Sequence, residues 1–115
     1  MPASAVEISV VSNENEFSPF ATNSFNMSIP AQTDAVANTS FSLAAGETVT
    51  IKASYSPFSA SVDFGLIAPD GKFHYVNVTS GSIDTTILVD ESGRYTLQVR
   101  NNSNVEVQVS GFVNY

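Results

Sequence analysis

Hydrophobic and polar residues alternate through most of this chain, and turn-forming residues interrupt the alternation at short, nearly regular intervals. The clearest stretch is 48–55, in which every second residue, from Val49 to Tyr55, is apolar and the residues between are Thr, Lys or Ser. A two-residue period bounded by Gly, Pro, Asn and Ser is typical of antiparallel strands with one buried face. The pattern therefore predicts an all-β protein.

The same alternation predicts eight or nine strands and no helix. We place them at 5–11, 24–29, 39–43, 48–55, 61–67, 72–78, 83–89, 94–100 and 105–109, with 111–113 after the last. Two stacked antiparallel sheets are the usual way to bury so many one-sided strands. We therefore expect one β-sandwich domain over residues 1–115, with either jelly-roll or Greek-key connections.

Residues 12–38 depart from this regular pattern. The segment is rich in Ser and Asn, and it contains two prolines and several large apolar residues. A long loop without secondary structure is unusual inside a compact domain. We therefore expect a strand at 24–29 with Phe25, Met27 and Ile29 facing inward, and we expect Phe17–Phe20 to cap one end of the sandwich.

Composition narrows the class of protein. With 115 residues and 43% hydrophobic content, the chain has enough apolar side chains for one core. Only 13% of residues are charged, so Ser, Thr and Asn fill the outward positions. A surface of neutral hydroxyl and amide groups is typical of extracellular bacterial β-domains. The chain has no cysteine, which excludes disulfides and thiolate chemistry.

The net charge of −7 argues against nucleic acid as a partner. Lys52, Lys72, Arg94 and Arg100 are the only fixed cations, and a phosphate-binding face normally needs a cluster of them. Anionic membrane surfaces are disfavoured for the same reason. No apolar run reaches the roughly 18 residues that a spanning helix needs, so we expect no membrane insertion.

The first residues suggest export. Ala3-Ser4-Ala5 has the small-x-small pattern that precedes a signal-peptidase cut. We therefore expect a secreted protein whose signal peptide has been removed. The alternative interpretation is that these are simply small residues at a chain end.

Three stretches resemble the bacterial pre-peptidase C-terminal (PPC) domain. They are Leu43–Ile51, which is similar to its "aG-x-x-v-x-i" strand entry, Leu66–Gly71, similar to its "L-x-x-P-D-G" hairpin, and Ser92–Val99, similar to its "a-G-x-Y-x-l-x-V" strand. The resemblance covers about 70 residues. It implies a small β-sandwich that accompanies secreted exoenzymes and that calcium stabilises. The ending Ser-Gly-Phe-Val-Asn-Tyr also resembles small secreted Firmicutes proteins of unknown function.

No residue set points to catalysis. His74 is the only histidine, so any Ser/His/Asp arrangement must use it, and it lies in the middle of a predicted strand. Paired carboxylates that cleave glycosidic bonds need a deep cleft that perturbs their pKa values. A sandwich of this size rarely has one, and we expect a protein that is not an enzyme.

Calcium is the one cofactor that the residues suggest. Loops between strands supply the carboxylate and carbonyl oxygens that it prefers. We expect Asp90 and Glu91 to converge with Asp84 or Asp63 at one end of the sandwich if a site exists. Solvated surface charge is the alternative interpretation of all four residues.

Aromatic residues suggest a carbohydrate-binding surface, because their rings stack on sugars when exposed. The candidates are Phe17, Phe20, Tyr55, Phe58 and Tyr75. Phe and Tyr side chains of β-sandwiches more often lie in the core, which is the alternative interpretation.

We therefore expect a secreted, non-enzymatic binding module whose ligand is a protein or polysaccharide at the bacterial cell surface. Loops around Phe17–Phe20, Ser56–Ser59 and Val78–Gly81 would carry the contact. Such a module would be a monomer or a weak homo-oligomer. Two alternatives stay open: a calcium-stabilised accessory domain of an exoenzyme system, and a subunit of an extracellular assembly. The latter would pair through a strand edge in 12–38 or in the C-terminal strand.

Overall fold

The computed structural model describes residues 5–7 and 22–115, with side chains described from 23 to 37 and from 40 onward. Every regular element in these ranges is a strand. The strands are β1 (Ala5–Glu7), β2 (Thr22–Ile29), β3 (Asp34–Leu43), β4 (Thr48–Ser56), β5 (Val62–Ile67), β6 (Phe73–Val78), β7 (Ser82–Leu88), β8 (Gly93–Asn101) and β9 (Val107–Asn114). The described residues contain no helix that is long and apolar enough to cross a membrane.

The strands form two sheets. One has five strands in the order β1-β6-β5-β8-β3, and the other has four in the order β2-β9-β4-β7. All pairings are antiparallel except that of β1 with β6, which is parallel. The first and last strands of the β2–β9 run pair with each other, and so do the strands inside them in turn, as in one long hairpin folded over into two sheets. The pairs are β2–β9, β3–β8, β4–β7 and β5–β6. The all-β sandwich is confirmed, and its strand order is that of a jelly roll.

The core lies between the two sheets and is built from alternate residues of each strand. In β4, Val49 and Ile51 point inward and are fully buried, while Lys52 and Ser54 are exposed. In β5, which belongs to the opposite sheet, Val62, Phe64 and Leu66 also point inward and are buried. The predicted two-residue period is therefore the period of burial in β4, whereas in β5 the outward-facing Asp63 and Gly65 are buried as well.

Two strands differ from the sequence prediction. β3 begins at Asp34, five residues before the predicted start, because an irregularity in its register with β8 between Val36 and Ser40 breaks the alternation there. β9 continues through Gly111, where we had placed a break. A Cβ at Gly111 would lie 2.2 Å from the carbonyl oxygen of Lys52, so glycine permits a close approach of β9 to β4.

The predicted edges can also be compared with the structure. β9 lies between β2 and β4, so the expectation that the C-terminal strand forms an edge is wrong. β2 and β3, both from the 12–38 region, each lie at an edge. β1 ends at Glu7, and the remainder of the first predicted strand and the proposed Phe17–Phe20 cap lie outside the described residues.

The antiparallel order gathers the loops at two ends of the sandwich. The connections 30–33, 57–61, 79–81 and 102–106 share one end, which we call the Phe58 end; there, Asn102 N–H donates to the Ser61 carbonyl. The connections 44–47, 68–72 and 89–92 share the other, which we call the His74 end. Gly46 N–H donates to the Val89 carbonyl at that end.

Candidate binding surfaces

Tyr55 is part of the scaffold of the Phe58 end. Its ring is only 6% exposed, and its hydroxyl donates to the carbonyls of Ala60 (2.7 Å) and Val78 (3.1 Å). Those two contacts tie the 57–61 connection and the end of β6 to β4. Of the other predicted aromatic residues, Phe17 and Phe20 lie outside the described residues.

Phe58 is the exposed aromatic residue of that end, with 72% of its surface accessible. It lies against Gly81, where an added Cβ would come within 2.7 Å of the Phe58 Cβ. The Gly81 carbonyl also accepts from Tyr55 N–H at 2.9 Å. The structure therefore brings together two of the three loop segments predicted to carry a contact, Ser56–Ser59 and Val78–Gly81.

Tyr75 lies on the outer face of the five-stranded sheet, where polar and aromatic groups satisfy one another. Its ring stacks on Phe73 with centroids 5.4 Å apart. The guanidinium carbon of Arg100 lies 5.0 Å from the Tyr75 centroid and 5.2 Å from that of Phe73. Such cation–π contacts stabilise a packed surface, so Tyr75 is half-buried and only part of its ring is available to a ligand.

The four carboxylates considered for calcium lie apart. Asp63 is buried on the outer face of the five-stranded sheet, where it accepts from Arg100 (2.8 Å) and Asn77 (2.7 Å). Asp84 lies on the outer face of the other sheet, opposite Lys52 in the register. Asp90 and Glu91 belong to the 89–92 connection. Among the described residues, no group of three or more His, Asp or Glu side chains is placed to hold a metal ion.

His74 faces the space between the sheets at the His74 end, in register with Leu66 of β5. Its Nε2 lies 3.2 Å from Asp70 Oδ2, and a small cavity of about 100 Å³ adjoins the pair. The Lys72 N–H, which donates to Asp70 Oδ1 at 2.8 Å, is the main cause that lowers the pKa of Asp70, and His74 adds to it. Burial raises the pKa of the Tyr95 hydroxyl, which donates to the Glu91 carbonyl.

The cavity beside His74 is small. At about 30 Å³ per water molecule, it holds only a few waters. The Asp70–His74 pair gives an acid and a base but occupies the surface rim of this cavity rather than a cleft. The arrangement fits a local contact that orders the 68–72 turn.

The outer face of the four-stranded sheet, which we call the Phe112 face, is a surface to which all four strands contribute. Its members come from alternate positions of all four strands and are mostly hydroxyl or amide side chains: Ser24, Asn26, Ser28, Thr50, Lys52, Ser54, Ser82, Asp84, Thr86, Leu88, Gln108, Ser110 and Phe112. Two hydrogen bonds cross the strands on this face, Ser28 to Gln108 (2.9 Å) and Thr50 to Thr86 (3.0 Å).

Phe112 lies near the middle of this face and is 50% exposed. In the register it stands between Ser24 of β2 and Lys52 of β4. A shallow depression of about 710 Å³ runs beside its ring, and a second of about 300 Å³ continues toward Gln108. The two share Asn26, Ser54 and Ser110, so together they form an elongated, shallow depression along β9 that is mainly apolar beside Phe112 and more polar toward Gln108.

The sequence analysis did not single out Phe112. Its signal was present in the alternation, because Val109 and Val113 point inward and Phe112 is therefore out of phase with the core. A break assumed at Gly111 obscured that phase. An aromatic residue at an outward position, flanked by small polar side chains on both neighbouring strands, is the pattern that would have identified this surface.

Comparison with known proteins adds no relative from which a site could be transferred. No family model matches the chain, and no curated protein matches it either. The resemblance to the PPC domain therefore stays a prediction.

Proposed function

We propose that this protein is a secreted, non-enzymatic binding module that holds an extended polysaccharide on the Phe112 face. The observation that carries the proposal is the elongated, shallow depression along β9, with the exposed Phe112 ring beside it and hydroxyl and amide side chains around it. Aromatic rings offer a flat apolar surface on which a sugar ring packs. The surrounding hydroxyl and amide groups both donate and accept hydrogen bonds, as sugar hydroxyls require.

The chemistry of the face favours a neutral ligand. Lys52 and Asp84 are its charged side chains, and they lie opposite each other in the register, so their charges offset. Exposed hydroxyls exchange bonds with water for bonds with the ligand, and the net gain of each bond is only about 1 kcal/mol. We therefore expect a dissociation constant in the range of about 1 μM to 1 mM for an oligosaccharide.

Two further features support a binding role outside the cell. The exposed positions carry neutral Ser, Thr and Asn side chains in place of the charges usual for a cytosolic domain. The only histidine of the chain is engaged with Asp70 beside a cavity of about 100 Å³, which favours a module without enzymatic activity.

The experiment is a pull-down of the protein with a panel of insoluble polysaccharides, followed by titration with the best oligosaccharide. We expect Phe112→Ala to weaken binding at least 10-fold while the melting temperature stays within a few degrees of the wild type. Phe58→Ala is the matched control, since it removes an equally large exposed ring from the Phe58 end. Absence of binding to every polysaccharide would contradict the proposal, as would binding that depends on Phe58 and not on Phe112.

A protein ligand at the Phe58 end is the second candidate. Phe58 and Val105 are both exposed apolar side chains of connections at that end, and apolar residues on loop tips commonly anchor a protein partner. Its signature, in a parallel pull-down with cell-surface protein extracts, is binding that is lost in Phe58→Ala but not in Phe112→Ala.

A further inference from the structure

β7 is an edge strand with one free side. It lies at the end of the four-stranded sheet and, among the described residues, pairs only with β4. Two backbone bonds fix which residues face that partner: Tyr55 N–H donates to the Gly81 carbonyl, and Val89 N–H donates to the Glu47 carbonyl. Because antiparallel bonding alternates along a strand, the odd-numbered residues of β7 bond to β4. The N–H and C=O groups of Ser82, Asp84, Thr86 and Leu88 therefore point away from the sheet.

Apart from the charge of Asp84, this edge lacks the features that usually prevent pairing with another chain. β7 contains no proline, glycine or lysine, and its register with β4 is unbroken over seven residue pairs. β3, at the edge of the other sheet, is by contrast interrupted by an irregularity between Val36 and Ser40. An unprotected edge of seven residues is long enough to add a strand.

We propose that two copies of this chain pair through β7, antiparallel, about a twofold axis that passes beside Thr85. Thr85 is the middle residue of the strand, so this register gives the greatest overlap. It places Asp84 of one copy opposite Thr86 of the other, and Ser82 opposite Leu88. These are the residues whose backbone groups are free, so each such pair can exchange two hydrogen bonds.

The side chains of β7 are self-complementary in that register. Ile83 meets Ile87 of the other copy at a position without backbone hydrogen bonds, where side chains approach most closely. Leu88, which is 50% exposed, gains the Ser82 backbone as a neighbour. A register centred on Asp84 would instead place two carboxylates directly opposite each other, which is destabilising.

The dimer has a consequence for the Phe112 face. Joining two β7 edges makes one continuous sheet of eight strands, twice the four of each copy, and a twofold axis makes the interface isologous. Both Phe112 faces then lie on the same side of that sheet. A polymer that spans both would be bound with an avidity that neither face has alone. The dimer itself does not depend on what the faces bind.

The test is light scattering after size-exclusion chromatography over a range of concentrations. The wild type is expected to shift from 12.2 kDa toward twice that mass as concentration rises. Thr86→Pro removes an N–H that faces the partner, and proline is tolerated in edge strands at such positions. It should raise the dimer dissociation constant at least 10-fold. Thr86→Ala, which loses only the hydroxyl bonded to Thr50, is the matched control and should leave the dimer intact.

Charged substitutions at position 86 test the register of the proposed dimer. Position 86 faces outward, so we expect these variants to fold. Thr86→Lys faces Asp84 of the other copy and should tighten the dimer several-fold at low salt. Thr86→Asp should loosen it, and adding Asp84→Lys to Thr86→Asp should restore it. Asn26→Asp alters the opposite edge, β2, and should have no effect. A strictly monomeric protein at millimolar concentration would overturn the proposal. A dimer that ignores residue 86 or dissociates with Asn26→Asp would also overturn it.

Discussion

Asp63 and Arg100 form an ion pair across the neighbouring strands β5 and β8, with Arg100 Nη2 2.7 Å from Asp63 Oδ2. The carboxylate is almost fully buried, and the same guanidinium covers the rings of Phe73 and Tyr75. A residue that we had considered as a calcium ligand is therefore part of a salt bridge that holds the outer face of the five-stranded sheet together.

Asp63→Ala should lower the free energy of unfolding by about 3 kcal/mol, because it leaves a largely buried guanidinium without this carboxylate. Urea denaturation followed by circular dichroism measures the change. Asp84→Ala, which removes an exposed carboxylate of the other sheet, is the control and should stay within about 0.5 kcal/mol of the wild type. Equal effects of the two substitutions would contradict the structural role given to Asp63.

Calcium should leave the thermal stability unchanged. Asp63 and Asp84 lie on the outer faces of different sheets, and Asp90 and Glu91 lie in the 89–92 connection, so these four carboxylates do not share one ion. We expect melting temperatures in EDTA and in millimolar CaCl₂ to agree within about 1 °C, well below the shift that a bound ligand in large excess produces. A clear rise with calcium, lost in Asp90→Asn, would show that these carboxylates bind the ion after all.

Asn101 organises the Phe58 end. Its side chain is fully buried: the two N–H groups of its Nδ2 are shared among the carbonyls of Ile29, Pro30 and Val105, and its Oδ1 accepts from the Ser103 N–H and hydroxyl. Asn101→Ala leaves those groups unsatisfied and should cost about 3 kcal/mol of unfolding free energy. Asn102→Ala, at the adjacent exposed position, is the control. Similar denaturation midpoints for the two variants would refute this assignment.

Gly65 permits the close approach of β5 to β6. A Cβ there would lie 1.9 Å from the backbone oxygen of His74, which the backbone of a central sheet strand cannot avoid. Gly65→Ala should therefore cost about 3 kcal/mol, the upper end of the range for overpacked cores. At Gly71 the added Cβ meets nothing within 4 Å, although the φ of +82° is strained for alanine. Gly71→Ala should cost only about 1 kcal/mol.

If the Gly65→Ala variant yields too little folded protein for denaturation, a lower soluble yield than that of Gly71→Ala under identical expression supports the same conclusion. Equal stability of the two variants contradicts it.

The Asp70 carboxylate should make stability depend on pH in the acid range. Its folded pKa lies below the value of 3.8 for an unperturbed group, chiefly because the Lys72 N–H donates to it. A lowered pKa means that the folded state binds the proton less readily than the unfolded state does. The stabilisation is therefore present above pH 3.8 and is lost as the pH falls through the folded pKa.

Chemical denaturation of the wild type and Asp70→Asn at several pH values measures this effect. We expect the wild type to be the more stable protein near neutral pH, and we expect the difference to shrink below pH 3.8. A difference that is constant from neutral pH to the acid limit would contradict the argument.

The degree to which the fold could be predicted differs between elements. β4 and β8 were placed within one residue at each end, because their inward residues alternate without interruption. β3 was predicted five residues too short at its start, because its irregular register with β8 disrupts the period that the prediction depends on.

The candidate surface was predicted less well. Phe58 is exposed at a loop, as expected, whereas Tyr55 lies in the core and Phe112 had not been considered.

The sequence by itself determined the fold class, the inward face of most strands and the turns, because each of these depends on residues that are close together in the chain. Alternation requires only neighbours one and two positions away, and turns require only Gly, Pro or Asn at a fixed offset. The tertiary structure decided everything that depends on which strands are adjacent. It placed β9 inside a sheet and β7 at its edge, paired Asp63 with Arg100, and gathered hydroxyl groups of four strands around Phe112. Such contacts join residues far apart in the chain, and the register that sets them is fixed by the packing of the whole sandwich.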